Sequence, residues 1–228
     1  MAQNDFWKQV QEEIRKYDLL THPFYRAWTA GQLTRADLGF YGHQYLHHVA
    51  ALPTYLTALH TRLPEGLTRS AILRNAAEEE ITGLSHADLW RQFVKGIELE
   101  PPVGDGEILP EIEQLIETYR EMARSGALPT ALGAFYAYES QVPFVAREKA
   151  AGLKRFYDAD KPTCEYFTLH MIADAHHTEV WHTLIGHCVR TNAACATEVL
   201  DGVIRGAKAL WHALDGIDAA RPGAVGRG

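Results

Sequence analysis

Apolar residues recur along this chain with the three-to-four-residue period of amphipathic helices, and no segment alternates with the period of two that marks a strand. Thr34 and Asp37 form a variant capping box at the start of one helix, and Pro23 disfavours helical backbone at His22. The pattern predicts seven helices, over residues 4–18, 34–63, 67–98, 110–124, 129–157, 163–190 and 194–214. We therefore expect an all-α, single-domain seven-helix bundle over residues 1–215 and a disordered tail over residues 216–228.

Composition adds limits on the partners of this bundle. With 228 residues, 46% of them hydrophobic, the chain can bury a full core. Its net charge of -7 argues against nucleic acid as a partner, because no basic stripe is available to follow a phosphate backbone. No apolar run approaches the ~20 residues of a membrane span, and the N-terminus lacks the pattern of a signal peptide.

The three cysteines, Cys164, Cys188 and Cys195, form no C-x-x-C pair, which fits a reducing compartment. We expect a cytoplasmic protein that binds neither nucleic acid nor membrane. The sequence leaves the oligomeric state open, and a homodimer is one of the alternatives.

The sixth predicted helix carries a stripe of metal-binding side chains. At about 100° per residue, Asp174 lies about 40° from His170, and His177 lies about 20° from His170 on the other side. His176 points about 120° away and falls outside the stripe. Imidazole plus carboxylate is the ligand set of non-haem iron, manganese and zinc. The alternative is a solvated polar stripe, or core histidines with hydrogen-bond partners, so a metal site needs further ligands elsewhere.

Further candidate ligands lie on the third and fifth predicted helices. On a continuous third helix, Glu79 lies about 20° from His86, whereas the neighbouring glutamates fall off that stripe. Glu139 follows an apolar helix face, and a buried carboxylate requires a cation or strong donors. Pro143 has no N–H for the Glu139 carbonyl, so we expect a kink there beside the site, with an ordinary helix bend as the alternative.

Three carboxylates and three imidazoles suffice for a dinuclear metal site with open positions for oxygen. The predicted ligands are Glu79, His86, Glu139, His170, Asp174 and His177. The paired Glu-x-x-His motifs of ferritin-like proteins do not fit, because the chain has a single such motif, at Glu179 and His182, and His182 is about 120° from His170.

This ligand spacing resembles that of the haem-oxygenase-like dinuclear-iron oxidases and oxygenases. The similarity is greatest to the chlamydial protein associating with death domains and its bacterial homologues, and it extends over about residues 10 to 214. The stretches that carry it beyond the ligands are His22-Pro-Phe-Tyr25-x-x-Trp28-x-x-Gly31-x-Leu33, Asp88-Leu-Trp90-x-Gln-Phe93, Tyr138-Glu-Ser-Gln-x-Pro143 and Ala146-Arg-Glu-Lys149-x-x-Gly-Leu153.

The resemblance implies a haem-oxygenase-like fold and oxygen-dependent synthesis of para-aminobenzoate for folate biosynthesis. It implies that the protein's own Tyr25 supplies the aromatic ring, in a single turnover, and that Lys149 supplies the amino group. The implied cofactors are two metal ions, Fe/Fe or mixed Fe/Mn, with dioxygen and an external reductant. Tyr41, Tyr138 and Tyr166 match further aromatic positions near the site.

Two features of this interpretation have alternatives. Lys149 lies about 80° from Glu139 on an ideal helix, so it reaches the site only if the kink turns it; otherwise it is a surface lysine paired with Glu148 or Glu165. Each tyrosine could equally be core packing. The competing functions are a dinuclear-iron oxidase acting on an external amino acid or fatty acid, and a non-enzymatic interaction module. The pattern assigns no role to His43, His47, His48 or His176.

Overall fold

The computed structural model describes residues 3–81, 85–98 and 107–225; within these ranges, the side chains at 3, 67–68, 78–81, 172–176 and 225 are outside the description. The described residues form eleven α-helices and a 3₁₀ turn at Leu19–Thr21, with no strand among them, so the all-α prediction is confirmed. The helices are α1 Gln3–Lys16, α2 Pro23–Thr29, α3 Arg35–Arg62, α4 Leu67–Ile81, α5 His86–Ile97, α6 Pro110–Arg124, α7 Leu128–Glu139, α8 Val142–Phe156, α9 Lys161–Thr191, α10 Cys195–Ala220 and α11 Pro222–Val225.

Helix α7 is the centre of the bundle, because every residue from 130 to 139 is buried. Glycines let it approach α10 to backbone contact. A Cβ atom on Gly133 would lie 2.2 Å from the carbonyl oxygen of Val199, and one on Gly202 would lie 1.9 Å from that of Thr130. A methyl group at either position would force the two helices apart.

The prediction of one continuous third helix is wrong. Helix α4 ends at Ile81, and α5 begins at His86 with Ser85 as its N-cap. The Ser85 hydroxyl accepts the backbone N–H of Asp88 at 3.1 Å and donates to the Asp88 carboxylate at 2.7 Å. This Ser-x-x-Asp cap starts a new helix, so the phase argument that joined Glu79 to His86 does not apply.

The fifth predicted helix is also divided, near Pro143, where the sequence predicts a kink. Helix α7 ends at Glu139, and α8 begins at Val142 with Pro143 in its first turn, where the missing N–H is harmless. Gln141 joins the two sides of the break: its side chain donates to the Ala137 carbonyl at 3.0 Å and accepts the Leu19 N–H at 2.9 Å. Two of the seven predicted helices are thus each divided in two, and α2 and α11 were not predicted, which accounts for the eleven helices of the described residues.

The predicted disordered tail differs from the structure as far as residue 225. Helix α10 continues to Ala220, and Ile217 is fully buried. Asp37 then accepts the Gly223 N–H at 2.7 Å and pairs with Arg221 at 3.4 Å. These contacts order the segment because they satisfy a carboxylate that is itself buried. None of the helices within the described residues combines the length and the apolar character needed to cross a membrane.

Candidate metal centre

Two of the predicted ligands form an imidazole pair. The rings of His86, at the start of α5, and His170, on α9, have centroids 4.5 Å apart, and both side chains are buried. His170 Nδ1 lies 2.7 Å from the carbonyl oxygen of Tyr166. A carbonyl oxygen can only accept, so Nδ1 donates to it, and Nε2 is the ring nitrogen left to bind a metal. Metal-ligating histidines are held in this way.

The second pair is Glu139 and His177, with 3.8 Å between Oε2 and Nδ1. Glu139 is only 3% exposed, so its carboxylate needs donors. Trp181 Nε1 donates to Oε2 at 2.6 Å, and the Asn75 amide lies 3.3 and 3.4 Å from the two carboxylate oxygens. Sequence reasoning did not identify Asn75 or Trp181. Trp181 could have been found, since it lies four residues after His177 on the same helix face.

The backbone of Glu139 is held as well. Its carbonyl accepts the Thr178 hydroxyl at 3.1 Å, which replaces the helical N–H that Pro143 cannot provide. The same contact fastens the end of α7 to α9 beside His177. The helix break, the carboxylate and the imidazole therefore form one unit.

Glu79 and Asp174 lie outside the described side chains, so their predicted roles are neither supported nor contradicted. Among the side chains that are described, no three histidine, cysteine or carboxylate groups converge closely enough to hold one ion. The two pairs nevertheless fit iron or manganese by chemistry, since both metals accept imidazole and carboxylate ligands. The complete set of six ligands remains a prediction.

Lys149 is buried in a second cluster, made of aromatic rings. Its Nζ lies 4.6 Å from the ring centroid of Tyr25 and 4.7 Å from that of Tyr41, and it donates a hydrogen bond to the Tyr41 hydroxyl. The alternative of a surface lysine paired with Glu148 or Glu165 is therefore wrong. Burial lowers the pKa of Lys149 well below its usual range, which favours the neutral amine.

Tyr25 and Tyr41 are kept as neutral phenols in the same cluster. Their hydroxyl oxygens are 3.2 Å apart, and burial raises the pKa of both well above the usual range. His22 holds the helix that carries Tyr25: its Nδ1 accepts the Phe24 N–H at 3.1 Å, and its Nε2 donates to Asp215 at 3.0 Å. Sequence reasoning used His22 only as part of a motif and missed this capping role.

A run of aromatic rings connects the lysine cluster to the imidazole pair. Ring centroids are 6.3 Å apart from Tyr25 to Tyr41, 5.6 Å from Tyr41 to Trp90, 4.7 Å from Trp90 to Tyr166 and 4.0 Å from Tyr166 to His170. Tyr41 thus lies in the lysine cluster, and Tyr166 lies beside the imidazole pair. Trp90 joins them; in the sequence it stood out only as part of a motif, with no role assigned.

His48 lies one ring beyond this run, because it packs on Tyr45, whose ring stacks on that of Tyr41 with centroids 5.4 Å apart. The ring of His48 is 5.4 Å from that of Tyr138, and neither of its nitrogens has a hydrogen-bond partner among the described residues. Burial lowers the pKa of His48 to about 3. His43 lies near the surface with its Nε2 2.5 Å from Glu98, His47 is exposed, and the side chain of His176 is outside the description.

The chain is similar to a known protein family and to named relatives. A family model described as "iron-containing redox enzyme" matches residues 40–211. A protein of Nitrosomonas europaea named 4-aminobenzoate synthase is 37% identical, over 95% of this chain and 92% of its own. A protein of Chlamydia pneumoniae with the same name is 33% identical, over 90% of this chain and 91% of its own.

The fold also has solved counterparts. A domain of unknown function from Shewanella denitrificans, described as having a haem oxygenase-like fold, superposes with a TM-score of 0.76 at 17% identity, over 95% of this chain and 92% of its own. At that identity the likeness concerns the fold alone. It confirms the haem-oxygenase-like architecture that the sequence motifs implied.

Proposed function

Because the chain belongs to the haem-oxygenase-like family of iron-containing redox enzymes, we propose that it synthesises 4-aminobenzoate from its own side chains. In this proposal, Tyr25 supplies the ring and Lys149 supplies the amino group. The single observation that carries it is the position of the Lys149 amine, 4.6 Å from the centre of the Tyr25 ring in a cluster closed to solvent. Relatives that are named 4-aminobenzoate synthase, and that this chain matches over more than nine tenths of their length, add support.

The proposed metal centre uses His86, Glu139, His170 and His177, together with Glu79 and Asp174. Two ions, both iron or one iron and one manganese, would activate dioxygen there with electrons from an external reductant. Trp181 and Asn75 orient the Glu139 carboxylate by hydrogen bonds, and the Tyr166 carbonyl fixes the tautomer of His170.

The protein's other residues prepare Tyr25 for reaction. An electron leaving the Tyr25 ring can pass through Tyr41 and Trp90 to Tyr166, each step being between neighbouring rings. The phenol must release its proton as it is oxidised, and the neutral Lys149 amine, hydrogen-bonded to Tyr41, lies close enough to take part in that transfer. An unprotonated amine is also the form of lysine that can bond to carbon.

The proposal is tested by growth of a bacterial strain that cannot make aminobenzoate, complemented with the wild-type chain or with variants. We expect Tyr25→Phe and Lys149→Arg to abolish rescue. The matched control is Tyr55→Phe, because Tyr55 is equally buried and its hydroxyl has no partner in the described part of the chain. Full rescue by both Tyr25→Phe and Lys149→Arg would overturn the proposal.

A mass measurement separates self-consumption from oxidation of an external molecule. After iron loading, reduction and exposure to air, the peptide that contains Tyr25 should lose its aromatic side chain, with at most one product molecule per chain. An intact Tyr25 with many products per chain would instead identify an oxidase acting on an external amino acid or fatty acid. A fully active protein without bound metal would contradict both enzymatic alternatives.

A further inference from the structure

The end of α9 and the start of α10 bring two thiols together. Cys188 is near the end of α9, Cys195 is the first residue of α10, and their sulfur atoms are 2.6 Å apart. Sulfur atoms in a disulfide are separated by about 2.0 Å, so a movement of about 0.6 Å would join these two. Cys188 is half-buried and within reach of a small oxidant, whereas Cys195 is buried.

The backbone holds the two cysteines in place without a covalent link. The Asn192 N–H donates to the Cys188 carbonyl at 3.0 Å, and the Cys195 N–H donates to the Asn192 carbonyl at 3.0 Å. The Asn192 side chain accepts the Ala194 N–H at 3.0 Å and closes the loop between the helices. The thiols therefore meet in a preformed turn, and bond formation requires no rearrangement of the fold.

We propose that Cys188 and Cys195 form a reversible intramolecular disulfide that ties α9 to α10. With hydrogen peroxide as oxidant, one sulfur attacks the O–O bond to give a sulfenic acid and one water. The second thiol then displaces the hydroxyl group as a second water, forming the S–S bond. The two thiols lose two electrons and two protons, and the peroxide is reduced to two water molecules.

The two thiols are free in the structure, in keeping with the reducing compartment expected from the sequence. Burial and the adjacent Cys195 thiol raise the pKa of Cys188 to about 12, so at neutral pH the Cys188 thiol is protonated. Thiolates are the reactive form, and oxidation should therefore be faster in mildly alkaline buffer than at neutral pH. The consequence for the fold is a covalent tie at the end of the helix that carries His170 and His177.

Thiol counting by mass spectrometry tests the proposal on the full-length protein. Reduced protein, denatured and alkylated, should carry three labels, one for each cysteine. After peroxide treatment in mildly alkaline buffer and removal of the oxidant, it should carry one label, on Cys164. Before alkylation, the mass of the oxidised protein should be lower than that of the reduced protein by two hydrogen atoms. Dithiothreitol should restore all three labels.

Three variants make the test specific. Cys188→Ser and Cys195→Ser should each prevent the loss of two hydrogen atoms, whereas Cys164→Ser should leave it intact, because Cys164 lies elsewhere on α9 and is buried. The proposal is overturned if oxidised wild-type protein keeps three labels or gains oxygen without forming a bond. It is also overturned if non-reducing electrophoresis shows that the disulfide links two chains.

Discussion

Replacing Trp181 with phenylalanine isolates the hydrogen bond that holds the buried Glu139 carboxylate. Trp181 is fully buried, and its Nε1 donates to Glu139 Oε2 at 2.6 Å. A phenylalanine can keep the stacking on Phe135, whose ring centroid is 5.3 Å away with 17° between the planes. The N–H donor is lost, and a hydrogen bond to a charged group contributes about 1.5–3 kcal/mol to folding stability.

Trp90→Phe is the matched control, because it removes the same atoms from an equally buried site. Its Nε1 donates at 2.7 Å to the carbonyl of Gly42, which is a neutral acceptor. Such a bond contributes about 0.5–1.5 kcal/mol, and the cavity left by each substitution is similar. We therefore expect Trp181→Phe to be less stable than Trp90→Phe by about 1 kcal/mol, or by about 2–4 °C in Tm for a chain of this length.

The assay is urea unfolding of the metal-free protein, followed by iron titration of the folded variants. Hydrogen bonds that orient ligands commonly change metal affinity by about 10–100-fold, so Trp181→Phe should bind iron more weakly than Trp90→Phe by a factor in that range. Equal unfolding free energies and equal iron affinities in the two variants would refute the role assigned to Trp181.

Three further predictions concern stability. His48→Phe should remove a pH dependence: burial lowers the pKa of His48 to about 3, and the unfolded chain, with a value near 6.5, binds the extra proton. Relative to this variant, the wild type should lose about 2 kcal/mol in urea unfolding as the pH falls from about 6.5 to 5. Lys149→Met should reveal a second dependence of folding stability on pH. Because burial lowers the pKa of Lys149, the unfolded chain binds more protons up to about pH 10.4, and the wild type should gain stability relative to the variant as the pH rises from neutral. Ending the chain after Gly216 should lower the unfolding free energy by at least about 2 kcal/mol relative to a chain that ends after Val225, since Ile217 and the contacts to Asp37 are lost. Equal stability of the two truncated chains would show that the tail contributes nothing.

The sequence predicted the helical class because the apolar period extends along the chain, but it did not predict where long helices divide. The cap at Ser85 and the break after Glu139 depend on side chains, Asp88 and Gln141, whose hydrogen bonds compete locally with helix continuation. Helical phase is informative only within one unbroken helix. It therefore applies to His170 and His177, which share the unbroken helix α9, and does not apply to Glu79 and His86 on either side of the Ser85 cap.

Sequence spacing can propose ligands that share one helix, but it carries no information on contacts between separate helices. The burial of His86, Glu139, His170 and His177 agrees with the expected inward-facing ligands. Asn75 reaches Glu139 from a separate helix, and no spacing in the sequence connects the two. The burial of Lys149 is likewise a tertiary property, because the rings of Tyr25 and Tyr41 that surround its amine come from α2 and α3.

The tight packing around Tyr25 affects the lifetime of the protein after the proposed reaction. Tyr25 is 3% exposed and fills a space bounded by Phe24, Trp28 and Tyr41. Loss of a buried aromatic ring lowers stability by about 3–5 kcal/mol, which raises the unfolded fraction by more than a hundredfold. A spent chain would thus be recognised by proteases more readily than a fresh one, because degradation follows the population of the open state. The same core that aligns the tyrosine for its reaction would then also mark the used protein for removal.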